Sequence, residues 1–202
     1  MNDIVGLVLA GGKSSRMGTN KAAVKLGGKT LLDLAIAHFS PQVGALAVSA
    51  NTPMQTQLPV LPDSIAGQAG PLAGILAGLE WAGTLRPLPT QVAFVPVDAP
   101  FFPENLVSKL KAESDGKKII AVRSNGHVHP VFSLWPLSLA PLLHIHFAAG
   151  GTRKVYDFIE SQPHHFVDID FTGDADPFMN INTPEELAAA QSKAGYAMSE
   201  NA

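Results

Sequence analysis

Short apolar runs alternate along this chain with segments whose apolar residues recur every three to four positions, and the alternation predicts strands and helices in turn. Ile4–Leu9 reads as a buried strand, Thr30–Phe39 as a helix closed by Pro41, and Ala45–Ala50 as a second strand. Pro71–Ala82 is an apolar, alanine- and glycine-rich helix with proline in its first turn. Val92–Val97 is a short, almost wholly apolar strand, as expected in a parallel sheet covered on both faces. Pro103–Lys111 reads as helix and Lys118–Val122 as strand. Val128–Leu134 reads as a strand with Pro130 near its start. Leu137–Phe147 and Arg153–Ile159 read as helices, Phe166–Ile169 as a strand, and Pro184–Gln191 as a last helix with Thr183 as its cap. Residues 192–202 read as a frayed tail, which leaves one domain over 1–191.

Alternating β and α elements imply a single-domain, Rossmann-like α/β fold in three layers around a mostly parallel sheet. Ligands of such sheets bind outside the carboxyl ends of the strands. The glycine-rich and polar features of this chain cluster at those ends.

The first of them follows the first strand: Leu9-Ala10-Gly11-Gly12-Lys13-Ser14-Ser15-Arg16-Met17-Gly18-Thr19-Asn20-Lys21. Backbone N–H groups and three cations at the end of a buried strand favour a phosphate. A Walker A loop is excluded, because the residue five before Gly12 is Leu7. The dinucleotide spacing G-x-G-x-x-G is also missing from Gly11, Gly12 and Gly18.

Asp98 directly follows the strand Val92–Val97, with Pro96 and Pro100 on either side. A carboxylate there suits Mg²⁺, which takes one or two carboxylates plus substrate phosphates; a turn or helix-cap aspartate is the alternative. Gly67–Gly74 is a second glycine-rich stretch, suited to a flat base or to close helix packing. Gly150-Gly151-Thr152-Arg153-Lys154 sets cations beside glycines before a helix, and Asn180 and Asn182 lie on one side of an extended segment. His127 and His129 are spaced like a metal pair but lack a third ligand, and His144, His146, His164 and His165 read as surface or packing residues.

Composition narrows the classes. The 202 residues are 46% hydrophobic, enough for a core, and the formal net charge of -3 gives no basic field for nucleic acid. Without cysteine there is no disulfide, thiolate metal site or cysteine nucleophile. No apolar run reaches the roughly 18 residues of a membrane span. The start of the chain lacks a signal-peptide pattern, so a cytoplasmic protein is expected.

Leu9-Ala10-Gly11-Gly12 through Arg16-Met17-Gly18 and Lys21 resembles the signature of nucleotidyltransferases with a glycosyltransferase-A-like fold. Gly70-Pro71-Leu72-Ala73-Gly74, Val97-Asp98-Ala99-Pro100, His129-Pro130-Val131 and Asn180-Ile181-Asn182-Thr183-Pro184-Glu185 extend the match. In this order they resemble the molybdenum cofactor guanylyltransferases, over nearly everything from Ile4 to Gln191. The resemblance implies transfer of GMP from GTP to the terminal phosphate of Mo-molybdopterin, with Mg²⁺ as cofactor. Molybdopterin-handling proteins and a GTP-binding adapter protein are the implied partners. It places Leu9, Ala10, Gly11, Gly12, Ser49, Asn51, Asp63 and Gly70 on the nucleotide. Arg16 and Lys21 would hold its phosphates, Asp98 the metal, and Asn180, Asn182, Arg153 and Lys154 the pterin side. Asn20 stands where the family usually has Asp, and Ser49 where many members have Asn. A relative using CTP or another phosphorylated acceptor, and a non-catalytic nucleotide-binding protein, are the competing readings.

Overall fold

Every residue of the first apolar run is buried, which is what a strand at the centre of a covered sheet requires. The computed structural model describes residues 3–11, 21–65, 70–171, 176–183 and 185–190. Nine strands are formed among them: β1 (Ile4–Leu9), β2 (Lys25–Leu26), β3 (Lys29–Thr30), β4 (Leu46–Ser49), β5 (Val60–Leu61), β6 (Gln91–Pro96), β7 (Ile119–Ser124), β8 (His127–Pro136) and β9 (His164–Asp168). The five helices are α1 (Leu31–Phe39), α2 (Pro71–Thr84), α3 (Leu106–Ala112), α4 (Ala140–Ala148) and α5 (Val155–Glu160). Residues 185–190 are helical too.

β2 and β3 form a small antiparallel pair, and the other seven strands make one sheet in the order β5-β4-β1-β6-β8-β7-β9. Only β8 runs against its neighbours, pairing antiparallel with both β6 and β7. Helices cover both faces. Ile4 and Val8 of β1 pack with Leu31, Ala35 and Phe39 of α1 and Leu106 and Leu110 of α3. Val5, Leu7 and Leu9 face the other way, toward Leu72, Ile75 and Leu79 of α2, Leu143 of α4 and Phe158 of α5. The alternation follows from the two-residue repeat of a strand, and each large side chain so buried contributes roughly 1.5–3 kcal/mol. The single-domain, three-layer, mostly parallel α/β architecture expected from the alternation is therefore the one observed.

Local boundaries follow local chemistry. Thr30 caps α1 in a reciprocal box, Asp33 N–H donating to Thr30 Oγ1 at 3.0 Å and Thr30 N–H to Asp33 Oδ2 at 3.1 Å. The helix expected from Pro103 starts later, at Leu106, and the one expected from Leu137 opens with a 3-10 turn before α4. The tail 192–202, Pro184 and Gln191 lie outside the described residues. No helix among the described residues is long and apolar enough to cross a membrane.

The glycines of α2 let it sit directly on β1. A Cβ on Gly78 would lie 2.6 Å from Leu7 Cδ2 and 2.9 Å from Phe94 Cε1, both in fully buried side chains. Gly78→Val is expected to destabilise the fold by about 3 kcal/mol, the upper part of the usual overpacking range. A lowered urea midpoint at unchanged slope checks it.

Candidate active site

The four strands β5, β4, β1 and β6 run parallel, so their carboxyl ends share one edge of the sheet. Gly11, Asn51, Asp63 and Asp98 follow those ends. β8 runs the other way, which brings its amino-terminal half to the same edge: Phe94 pairs with Ser133, so the chain after β6 lies beside the residues before Ser133. A cavity of about 330 Å³ opens there. Leu9, Ala10 and Gly11 line it on the β1 side, Val128 to Phe132 on the β8 side, and Lys21, Asp98 and Asn180 between them. This volume is at the small end of the range for ligand clefts.

At its centre, Lys21 Nζ donates to Asp98 Oδ2 at 2.9 Å and to the side-chain oxygen of Asn182. The ion pair is largely enclosed, the two side chains being 23% and 18% exposed, so solvent screens it less than a surface pair. Three distant segments meet in this contact, and the backbone locks two of them. Val97 N–H donates to Leu9 O at 3.0 Å, and Ile181 N–H donates to Asp98 O at 2.7 Å. The second bond holds the asparagine segment against the end of β6. Glu186 accepts from the N–H groups of Asn182 and Thr183, and Glu186 N–H donates to Thr183 Oγ1. This capping box anchors the segment to the following helix.

The remaining sequence candidates fall beside this centre. Asn51 and Asp63 pair reciprocally past the ends of β4 and β5: Asn51 Nδ2 donates to Asp63 Oδ2, and Asp63 N–H to Asn51 Oδ1, both at 2.8 Å. Ser49 is buried, its carbonyl accepts from Ala10 N–H at 2.9 Å, and its hydroxyl fills the space a Cβ on Gly74 would need. Gly70 caps the amino end of α2. A Cβ on it would lie 3.7 Å from Arg153 O, so the segment with Arg153 and Lys154 borders the same helix start. That segment is held by His146, whose Nε2 bonds Thr152 O at 2.8 Å, while the Arg153 and Lys154 side chains are exposed. Gly12, Arg16 and Asn20 lie outside the described residues.

A divalent cation suits this donor set. Asp98 Oδ2 and Asn182 Oδ1 already converge on one ammonium group, which shows hard oxygens aimed at a common point. Among the described residues no cluster of three or more His, Asp or Glu side chains could hold a metal alone. A cation here would draw its other ligands from a substrate phosphate, as Mg²⁺ usually does.

One residue of the cavity wall was set aside in the sequence. His129 is half-buried against Phe178 and Phe132, with ring centroids 5.2 Å and 6.3 Å away. Its Nε2 is enclosed with no hydrogen-bond partner. Burial holds its pKa below the ordinary histidine value, so the ring is neutral at pH 7. The signal in the sequence is the His129-Pro130-Val131 motif, and the antiparallel direction of β8 is what brings it to the cavity.

Comparison with known proteins identifies the family and the fold. The family model described as MobA-like NTP transferase domain matches residues 6–166. The molybdenum cofactor guanylyltransferase of Sinorhizobium fredii is 43% identical over 196 residues, covering 92% of this chain and 89% of that protein. The one from Mesorhizobium japonicum is 44% identical over 197 residues, covering 93% and 94%. Among solved structures, molybdopterin-guanine dinucleotide biosynthesis protein A from Archaeoglobus fulgidus superposes with a TM-score of 0.75 at 21% identity, over 96% of this chain and 99% of that one. The 2-C-methyl-D-erythritol 4-phosphate cytidylyltransferase of Thermus thermophilus gives 0.66 at 18% identity, over 96% and 100%. At these identities the two structures speak for the fold.

Proposed function

The chain belongs to the molybdenum cofactor guanylyltransferases of the MobA-like NTP transferase family, and on that premise we propose that it transfers GMP from GTP to the terminal phosphate of Mo-molybdopterin. The products are Mo-molybdopterin guanine dinucleotide and pyrophosphate. The observation that carries the reading is the meeting of Lys21, Asp98 and Asn182 beside a cavity lined by Leu9, Ala10 and Gly11.

The chemistry needs no nucleophilic side chain. A terminal phosphate oxygen of the acceptor, anionic at neutral pH, attacks the α-phosphorus of GTP. The new P–O bond forms as the bond from that phosphorus to the bridging oxygen breaks, and the electron pair leaves with pyrophosphate. The obstacle is bringing two anions together. Lys21 supplies fixed positive charge in the cavity wall, and Gly11, just after β1, would bring its backbone N–H to a phosphate oxygen. Mg²⁺, held by Asp98 and phosphate oxygens, would supply the further neutralisation such transfers use. Asn182 and Asn180 would face the acceptor from the other side.

Asp63 would contact the base. A carboxylate can accept from the guanine ring N–H and amino groups, whereas cytosine presents an acceptor at its ring nitrogen. Asp63→Ala is expected to raise the KM for GTP at least tenfold with little change in kcat, about the strength of one charge-assisted hydrogen bond. Steady-state kinetics with GTP varied at saturating acceptor test this.

Pyrophosphate release by the purified protein, with Mg²⁺ and Mo-molybdopterin, tests the function. Release with GTP and not CTP is the expected result. Release with CTP alone would change the product while keeping the mechanism. No release with either, at intact nucleotide binding, would make the chain a binding protein.

A further inference from the structure

Resting on the proposed reaction, we propose that His129 is a ligand of the acceptor, bonding the flat polar ring of the pterin through its imidazole. Four observations converge on it. The ring lines the cavity that holds Lys21, Asp98 and Asn180. Its Nε2 is enclosed without a partner, a costly state for a polar atom that a turn of the ring toward a ligand in the cavity would relieve. The register of β8 against β7 breaks at this place: Ala121 pairs with Ser133 but Val122 with His129, so Pro130, Val131 and Phe132 are unmatched. Such a bulge re-aims side chains and is common beside active sites. Finally, the ring packs on Phe178, two residues before Asn180, so His129 and the asparagine segment form one wall.

The chemistry of that wall selects the ring of the acceptor over its phosphate. Val128, Pro130, Val131 and Phe132 are apolar, and a neutral imidazole offers one donor and one acceptor rather than a charge. The Lys21 ammonium, which suits phosphate, lies off that wall, between it and the end of β1. A flat, uncharged heterocycle fits the first surface, and the triphosphate fits the second. The side of the cavity also separates His129 from the nucleotide base, which the Asn51–Asp63 pair would meet past β4 and β5.

The test is His129→Phe, which keeps an aromatic ring against Phe178, beside His129→Asn, which keeps a hydrogen-bonding group. Pyrophosphate release is measured with GTP and Mo-molybdopterin varied separately. His129→Phe is expected to raise the KM for Mo-molybdopterin at least tenfold, leave the KM for GTP within twofold, and leave the melting temperature unchanged or higher. His129→Asn should recover part of the acceptor affinity. A structural role would move both KM values or lower the melting temperature instead. Unchanged acceptor KM in His129→Phe, or an equal rise for both substrates, overturns the assignment. Calorimetric binding of molybdopterin to the wild type and to His129→Phe reads the contact without turnover. Wild-type binding lost in the variant supports the contact even if the wild type releases no pyrophosphate, a failure that would fall on the reaction. Equal binding by both proteins overturns the contact.

Discussion

Asp98→Asn is expected to lower pyrophosphate release by about 10²–10³-fold or more, the usual cost of removing one preorganised electrostatic group, while GTP binding persists. The substitution keeps the shape of the side chain, removes its charge and turns one acceptor oxygen into an amide donor. Its backbone duties survive, because Ile181 N–H bonds the carbonyl of residue 98, not its carboxylate. The asparagine segment should therefore stay docked at the end of β6. Lys21 keeps an amide oxygen to donate to. What disappears is the anion placed to hold a divalent cation against the transferring phosphate. Contacts to the base past β4 and β5 are remote from this change. The measurement pairs turnover, with Mg²⁺ as the sole divalent cation, with equilibrium binding of GTP. Wild-type turnover in the variant would remove Asp98 from the reacting centre.

The parallel half of the sheet could be read from the chain because its strands announce themselves. Ile4–Leu9 is apolar on both faces and matches β1 to the residue, and Val92–Val97 falls one residue from β6. The antiparallel β8 was not anticipated, although Asn125-Gly126 carries its signal. Both residues have positive φ, 46° and 78°, and Ser124 pairs with His127 across them, as in a two-residue primed hairpin turn. That turn sends β8 back along the sheet and puts His129 in the cavity wall, a place that its spacing from His127 does not show. Pro130 sits inside the strand because the bulge there leaves it no ladder bond to make. β5 and the β2–β3 pair, two residues per strand, are too short for any periodicity to show. In the site, the spacing after β1 and β6 pointed to phosphate and metal chemistry. No local pattern links Lys21 to Asn182, 161 positions apart, and only the fold brings them into contact.

That contact makes Lys21→Ala the second large effect: kcat/KM for GTP should fall by about 10²-fold, through a loss in rate and a loss in affinity together. The two components have separate causes. The ammonium is a fixed positive charge beside the place where the triphosphate must lie, so its removal weakens nucleotide binding by a charge-assisted hydrogen bond. It also stands between Asp98 and Asn182. Without it, the Asp98 carboxylate faces the incoming triphosphate and the acceptor's phosphate unshielded, and the asparagine loses the donor that ties it to the metal side. Lys21→Arg preserves the charge but replaces a compact ammonium with a longer, planar group, so it should recover affinity more fully than rate. The split distinguishes this residue from Asp98, whose loss is expected in turnover far more than in GTP binding. Steady-state constants for both substrates, with GTP affinity from equilibrium titration, resolve the two components. Constants equal to wild type would take Lys21 out of the site. A change confined to the acceptor KM would mean that its bond to Asn182, rather than its charge near the nucleotide, is what the reaction uses.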